Sequence, residues 1–212
     1  MTGSGLLRYA FEHFRSKRMS LFERTFRITP ETRVLDVGGS PEIWQFCSVR
    51  PALTLLNLPS ALVAQSNGVC RVAADGRLLP FPDRAFDIVF SNSVIEHVGG
   101  VEEQRGFARE VSRVGRAYWV QTPNRRFPVE LHLMMPLVHY LPKRLQKRLV
   151  ERFTLWEMLV NPSPFERSAY IDHFLNELRL LDAAELQSLF PEARILSERA
   201  LGISKSLIAV RA

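Results

Sequence analysis

A short aliphatic run that ends in paired glycines, Val34-Leu35-Asp36-Val37-Gly38-Gly39, restricts this chain more than any other feature of it. Such a run reads as a strand buried on both faces. Glycine at its end lets the backbone turn tightly and approach a ligand, because no Cβ stands in the way. Including Arg33, the first strand is predicted over Arg33–Val37, and runs of the same character follow at Leu53–Asn57, Val69–Ala73, Phe86–Ser91 and Ala117–Gln121. Helical patterns lie between them, beginning near Pro41-Glu42, near Ser60–Gln65 and over Val101–Val114. Parallel neighbours need a crossover connection, so this alternation predicts an α/β fold: a doubly wound, mostly parallel sheet with helices on both faces. Two last strands, Ala193–Glu198 and Ser206–Val210, are joined by a turn containing Gly202 and predict an antiparallel C-terminal pair, which brings the sheet to seven strands.

With 212 residues, 46% of them hydrophobic, the chain can bury one proper core but not two, and a single domain over 1–212 is expected. Residues 1–29 form a lead-in, where Leu6, Tyr9, Phe11, Phe14, Phe22 and Phe26 among basic positions suit one or two amphipathic helices. After Thr122-Pro123-Asn124 the rhythm breaks. Residues 125–180, rich in Pro, His, Met and aromatic side chains, read as a helical cap inserted after the fifth strand, and Asp182 is a plausible N-cap for a helix over Ala183–Phe190.

The net charge of +6 directs attention to acidic partners. Within the cap, the basic segment 143–152 carries Leu145 and Leu149 with a charged opposite face. A solvated face is the plainer reading and peripheral contact with an anionic membrane the other. Nucleic acid is disfavoured, since no recognisable binding appendage accompanies the charge. Cys47 and Cys70 have no ligand spacing and build no disulfide framework, and no signal or spanning segment is evident, so a reducing cytoplasm is expected. Glu130, His132 and His139 lack the i, i+4 spacing of a zinc motif, and no metal is expected.

Taken together, Val34-Leu35-Asp36-Val37-Gly38, Asp75 with Leu79-Pro80-Phe81, and Phe86-Asp87-Ile88-Val89-Phe90-Ser91-Asn92-Ser93-Val94-Ile95-Glu96-His97-Val98 resemble the class I S-adenosylmethionine-dependent methyltransferases, within them the small-molecule group called type 11. The resemblance is strong over residues 30–124 and topological over the last thirty or so. It implies S-adenosylmethionine as cofactor and methyl transfer to a small or lipid-like metabolite, such as a sugar or glycolipid hydroxyl. It also implies the cofactor site. Asp36, Gly38, Gly39 and Ser40 would surround the methionyl part, Asn57 would face the ribose, and Asp75 and Gly76 the adenine, between Leu58 and Leu78. Asn92 and Ser93 would lie beside the sulfonium. Ser40 and Glu42 replace further glycines of the family pattern, and Asn57 replaces its usual carboxylate. Those departures motivate a rival, a methyltransferase-fold binding or regulatory protein without turnover; the charge alone motivates another, an RNA methyltransferase.

His97 is the candidate catalytic residue, as a base or an acceptor-orienting group. Gln121 and Asn124, at the same edge of the sheet as the cofactor, and Glu130 and His132 of the cap are the candidate substrate-binding residues. Oligomeric state is not legible.

Overall fold

The structure, a computed structural model, describes residues 3–61 and 69–212, without the side chains of residues 3–8, 10, 11 and 61. One helix, α1 (Gly3–Phe26), forms the lead-in. The alternating part follows as β1 (Arg33–Val37), α2 (Pro41–Trp44), β2 (Ala52–Asn57), β3 (Cys70–Ala73), β4 (Phe86–Asn92), α3 (Val101–Val114) and β5 (Gly115–Pro123). The helix anticipated near Ser60–Gln65 begins as a 3₁₀ turn, Pro59–Ala61, and the remainder lies outside the described residues.

The cap consists of a two-residue ladder, β6 (Val129–Glu130) with β7 (Met135–Pro136), then α4 (Lys143–Arg152), α5 (Leu155–Val160) and α6 (Pro164–Asn176). The chain returns to the sheet through α7 (Ala183–Leu189), β8 (Arg194–Ala200) and β9 (Ile203–Arg211). Asp182 does cap α7, accepting from the amides of Ala184 and Glu185, while the Glu185 side chain reaches back to the Asp182 N–H.

The seven strands lie in the order β3-β2-β1-β4-β5-β9-β8, with β1 to β5 parallel and β9 antiparallel to both β5 and β8. The order reverses between β1 and β4, and in sheets of this kind the crevice at that reversal is where ligands bind. Alternating residues of β1 divide the interior. Leu35 and Val37 join Phe107, Val111 and Val114 of α3 and Leu186 of α7 on one face. On the other, Val34 joins Met19 and Phe22 of α1 and Trp44 of α2. Phe22 is the centre of this second layer, with its ring edge-on to Trp44, Phe90 and Trp119 at 5.9, 5.1 and 5.7 Å. Such pairs add about 0.5–1.5 kcal/mol each beyond their burial. Trp44 and Trp119 are therefore core residues, whereas Trp156 stacks on Tyr170 in the cap.

A small core of its own, Leu133, Val138, Val150, Ile171 and Phe174, holds the cap together. Gln104 of α3 fastens it to the sheet, donating to the carbonyls of Ile95 and Arg179 at 3.0 Å, while the Arg179 amide donates to the Glu96 carbonyl at 2.8 Å.

Candidate active site

A cleft of about 170 Å³ lies at the reversal point, walled by Val37, Gly38, Asn57, Leu58, Asp75, Gly76, Val94 and His97 among others. These residues stand at the C-terminal ends of β1 to β4 because each strand stops at a polar or small residue there. Gly38 has φ +72°, and a Cβ on it would come within 2.5 Å of Val94 Cγ2. Its N–H donates to the Leu56 carbonyl at 2.7 Å, which closes the turn. The second glycine has another cause: a Cβ at Gly39 would overlap the Asp36 carboxylate.

Asp36 is fully buried beneath that turn and accepts from Trp44 Nε1 at 2.8 Å. Burial pushes its pKa up to about 7, against the lowering effect of the Trp44 bond. It is placed to order the turn from below. Asn57 donates from Nδ2 to the Gly39 carbonyl at 2.9 Å, bracing the same turn from the side. A carboxylate has no donor for that bond. Ser40, at the N-cap of α2, bonds the Glu42 side chain instead of capping the helix.

Asp75 holds Arg77 in an ion pair at 2.6 Å, and the guanidinium keeps its carboxyl below the usual range. Both side chains are exposed, and pairs of this kind contribute about 0–1 kcal/mol, so Asp75 can exchange its partner readily. Leu58 and Leu78 remain 52% and 78% exposed, two large aliphatic side chains left uncovered beside Asn57 and Asp75. Gly76 is packed edgeways on Phe107 and Val37, where a Cβ would approach both at 3.0 Å.

Residues at the ends of β4 and β5 are engaged in a network that the sequence did not announce. Arg18 of α1, buried, donates to Asn92 Oδ1 and, at 3.3 Å, to Gln121 Oε1, and it pairs with Glu198 at 2.7 Å. Ser93, itself in the left-handed region at φ +57°, donates to Gln121 Oε1 at 2.9 Å. Lys205 adds a second cation on Glu198 at 2.8 Å. Asn124 is placed away from the cleft, donating to the Ser204 carbonyl at 2.9 Å and accepting from the Arg126 amide at 3.0 Å.

His97 and His132 meet although 35 positions separate them. His97 follows β4 in a 3₁₀ turn, Ile95–His97, and His132 lies in the turn after β6. Their Nε2 atoms are 3.2 Å apart, and their rings are perpendicular. His132 Nδ1 bonds Glu130 Oε1 at 2.6 Å; His97 Nδ1 bonds His173 Nε2 at 2.8 Å, and His173 Nδ1 bonds Glu177 at 2.6 Å. Glu96 lies under both rings, completely buried, with Oε2 accepting from Thr122 at 2.9 Å and Oε1 without a partner.

Burial drives the His97 pKa down to about 3, helped by the neighbouring His132 and His173, so this ring is neutral. Burial alone would also lower His132, but the bond to Glu130 and the charges of Glu130 and Glu96 outweigh it and raise the value. Burial raises Glu96 to about 7. The structure thus brings His97, His132 and Glu130 together and adds Glu96 and His173 to them. His139 bonds the Arg125 carbonyl elsewhere. Spacing along the chain pointed away from any metal, yet Glu96, His97 and His132 converge with three ligand atoms within 4.8 Å of one another. The i, i+4 criterion registers only ligands from one helix, and these come from separate turns.

Two larger hollows adjoin this point. One of about 400 Å³ shares Arg77, His97 and Val98 with the cleft and is completed by residues 176–179 of the cap. The other, about 520 Å³ and mostly apolar, is lined by Trp156, Val160, Phe165, Tyr170 and His173. A further hollow of about 560 Å³, lined by Arg84, Ser112, Arg116, Glu192 and Arg211, contains none of the motif residues.

Residues 45–117 match the family model described as a methyltransferase domain. No curated protein matches the sequence. Among solved structures, the magnesium protoporphyrin IX methyltransferase of Synechocystis PCC 6803, with bound SAH, is similar at TM-score 0.53 and 12% identity over 93% of this chain and 82% of that one. A SAM-dependent methyltransferase from Aquifex aeolicus is similar at TM-score 0.50 and 11% identity, over 90% and 87%. The [4+2]-cyclase SpnF is similar at TM-score 0.52 and 18% identity, over 85% and 57%. At such identities these likenesses speak to the fold.

Proposed function

We infer that this chain, a class I S-adenosylmethionine-dependent methyltransferase of the type-11 group, methylates a hydroxyl of a small or lipid-like acceptor that enters between the sheet and the cap. The observation that carries this reading is the position of His97, which forms part of the wall of both the cleft and the hollow completed by residues 176–179.

The residues present fit the cofactor. Gly38 offers a turn of bare backbone, Asp75 an exchangeable carboxylate for an amino group, and Leu58 an uncovered apolar flank. When bound, S-adenosylmethionine supplies a methyl group activated by its sulfonium. The chain's part is alignment and exclusion of water, which need no covalent intermediate. His97, which lines both the cleft and the adjoining hollow, would hold the acceptor's hydroxyl, with His132 behind it and Glu96 buried beneath. The cap supports a partly apolar acceptor, because Met158, Val160 and Phe165 stay 70%, 56% and 83% exposed on it. Arg144, Lys147, Arg148 and Arg152 of α4 lie in the same cap and suit an anionic lipid surface. Among the described residues no helix is long and apolar enough to cross a membrane, so any such contact is peripheral. The free thiols of Cys47 and Cys70 suit the cytoplasm.

Calorimetric titration with S-adenosylmethionine and its demethylated product tests the cofactor site. Asp75→Ala is expected to weaken binding by about 0.5–1.5 kcal/mol, the worth of one hydrogen bond. Transfer of labelled methyl to a panel of hydroxylated amphiphiles and sugars tests the acceptor. Binding without transfer to any hydroxyl, while an amine or RNA is methylated, would overturn the acceptor reading.

A further inference from the structure

We propose that Glu96, His97 and His132 form a binding site for a divalent first-row transition ion, Zn²⁺ in the first instance. The tautomers follow from the outer partners. His132 Nδ1 faces a carboxylate, Glu130, and so carries its proton there. His173 Nδ1 likewise faces Glu177, which leaves His173 Nε2 bare to accept from His97 Nδ1. The Nε2 atoms of His97 and His132 are therefore both unprotonated when the rings are neutral, and they point their lone pairs at each other across 3.2 Å. Glu96 Oε1, completely buried and without a hydrogen-bond partner, lies 4.0 Å from each of them.

A proton shared between the two rings would satisfy the nitrogens and leave Glu96 Oε1 unbonded. A cation satisfies all three. The point equidistant from the three atoms lies about 2.2 Å from each, against ~2.0–2.2 Å for bonds from zinc to imidazole nitrogen and carboxylate oxygen. Two imidazoles and one carboxylate are the donor set of this class of ion, and calcium or magnesium would call for more oxygen. Outer partners are already in place: Glu130 behind His132, His173 behind His97, and Thr122 behind Glu96. Three protein ligands leave a position open, and through His97 the cluster borders the cofactor cleft. On the reading given under Proposed function, an acceptor hydroxyl completes the shell. The ion would lower that hydroxyl's pKa and its proton would pass to water; the oxygen would then give its electron pair to the methyl carbon as the carbon–sulfur bond breaks and its pair leaves with the sulfur of S-adenosylhomocysteine.

The test uses the full chain freed of metal with a chelator, titrated calorimetrically with Zn²⁺ and, for a visible spectrum, with Co²⁺. One ion per chain is expected, with Co²⁺ d–d bands of a low-coordinate nitrogen and oxygen site and a rise in melting temperature with Zn²⁺. Glu96→Gln and His132→Ala should abolish or strongly weaken binding. Glu130→Gln should lower affinity by ~10–100-fold, as loss of an outer partner does. His139→Ala, which removes none of the three ligands or their hydrogen-bonded partners, should bind as wild type. His97→Ala, at a partly exposed position, provides the same test if His132→Ala does not fold. Folded wild type that takes up neither ion, or binding unchanged in the Glu96 and His132 variants, overturns the site. Parallel titration with S-adenosylhomocysteine separates the two readings: cofactor binding without metal binding removes this inference alone, and metal binding without cofactor binding removes the methyltransferase reading alone.

Discussion

Two side chains brace the glycine turn, Asp36 from below and Asn57 from the side. Asn57 stands where a carboxylate is usual because its amide N–H braces the Gly39 carbonyl. Asn57→Asp would set a negative oxygen against that carbonyl and should lower stability by about 0.5–1.5 kcal/mol and loosen cofactor binding; denaturant unfolding and calorimetry measure both. A gain in affinity would show the side chain turning to the ribose instead. Asp36 makes a prediction in pH. Its folded pKa of about 7 stands above the ordinary carboxylate value of 3.8, so the native state binds the extra proton between those values. Stability from this residue is therefore full below about pH 4, falls as pH rises to about 7, and stays low beyond. Asp36→Asn keeps an acceptor for Trp44 and should raise the melting temperature at pH 8 more than at pH 4. The glycine turn after β1 was legible in the sequence because only backbone constraints are at stake there. The Glu96–His97–His132 cluster was legible only in part: each residue was visible, but their meeting depends on how the cap folds back on β4.

Elements that alternate along the chain were readable because hydrophobic period and turn residues agree at each boundary, as at Asp182 before α7 and Gly38 after β1. The role of α1 was not, since its buried Arg18 finds its ion-pair partner near the far end of the described chain. Arg18 couples the helix to β4, β5 and β8 at once through Asn92, Gln121 and Glu198. Burial would raise the Glu198 pKa, but Arg18 and Lys205 outweigh it and hold the carboxyl below its ordinary value. That contribution to stability is present above about pH 4.5 and is lost as pH falls through the lower folded value. Arg18→Ala should cost about 2–3 kcal/mol, less than the ~3–5 of an orphaned buried charge because Lys205 remains on Glu198. It should also flatten the acid limb of the stability profile. Thermal melts between pH 3 and 7 read both effects, and an unchanged acid limb would leave α1 held by its other contacts, Met19 and Phe22 foremost.

For the molecule as a whole, the proposed function divides the protein into a sheet that would hold the cofactor and a helical cap that would meet the acceptor. If Arg144, Lys147, Arg148 and Arg152 contact an anionic bilayer, each contributes about 1 kcal/mol near the surface. Sedimentation with phosphatidylserine vesicles should then be strong at low salt, weak at high salt and lost when the four are replaced by Gln, with cofactor affinity unchanged. Vesicle binding equal on neutral lipid would assign the contact to the exposed apolar side chains instead. β9 follows β8 in the chain yet lies between β5 and β8, not at an edge. Until β9 leaves the ribosome, β5 presents a bare row of amides and carbonyls beside Trp119 and Val120, and α1 waits for a Glu198 that is 180 positions away. The nascent sheet stays open until then, and this nine-residue strand acts as the bolt that closes it.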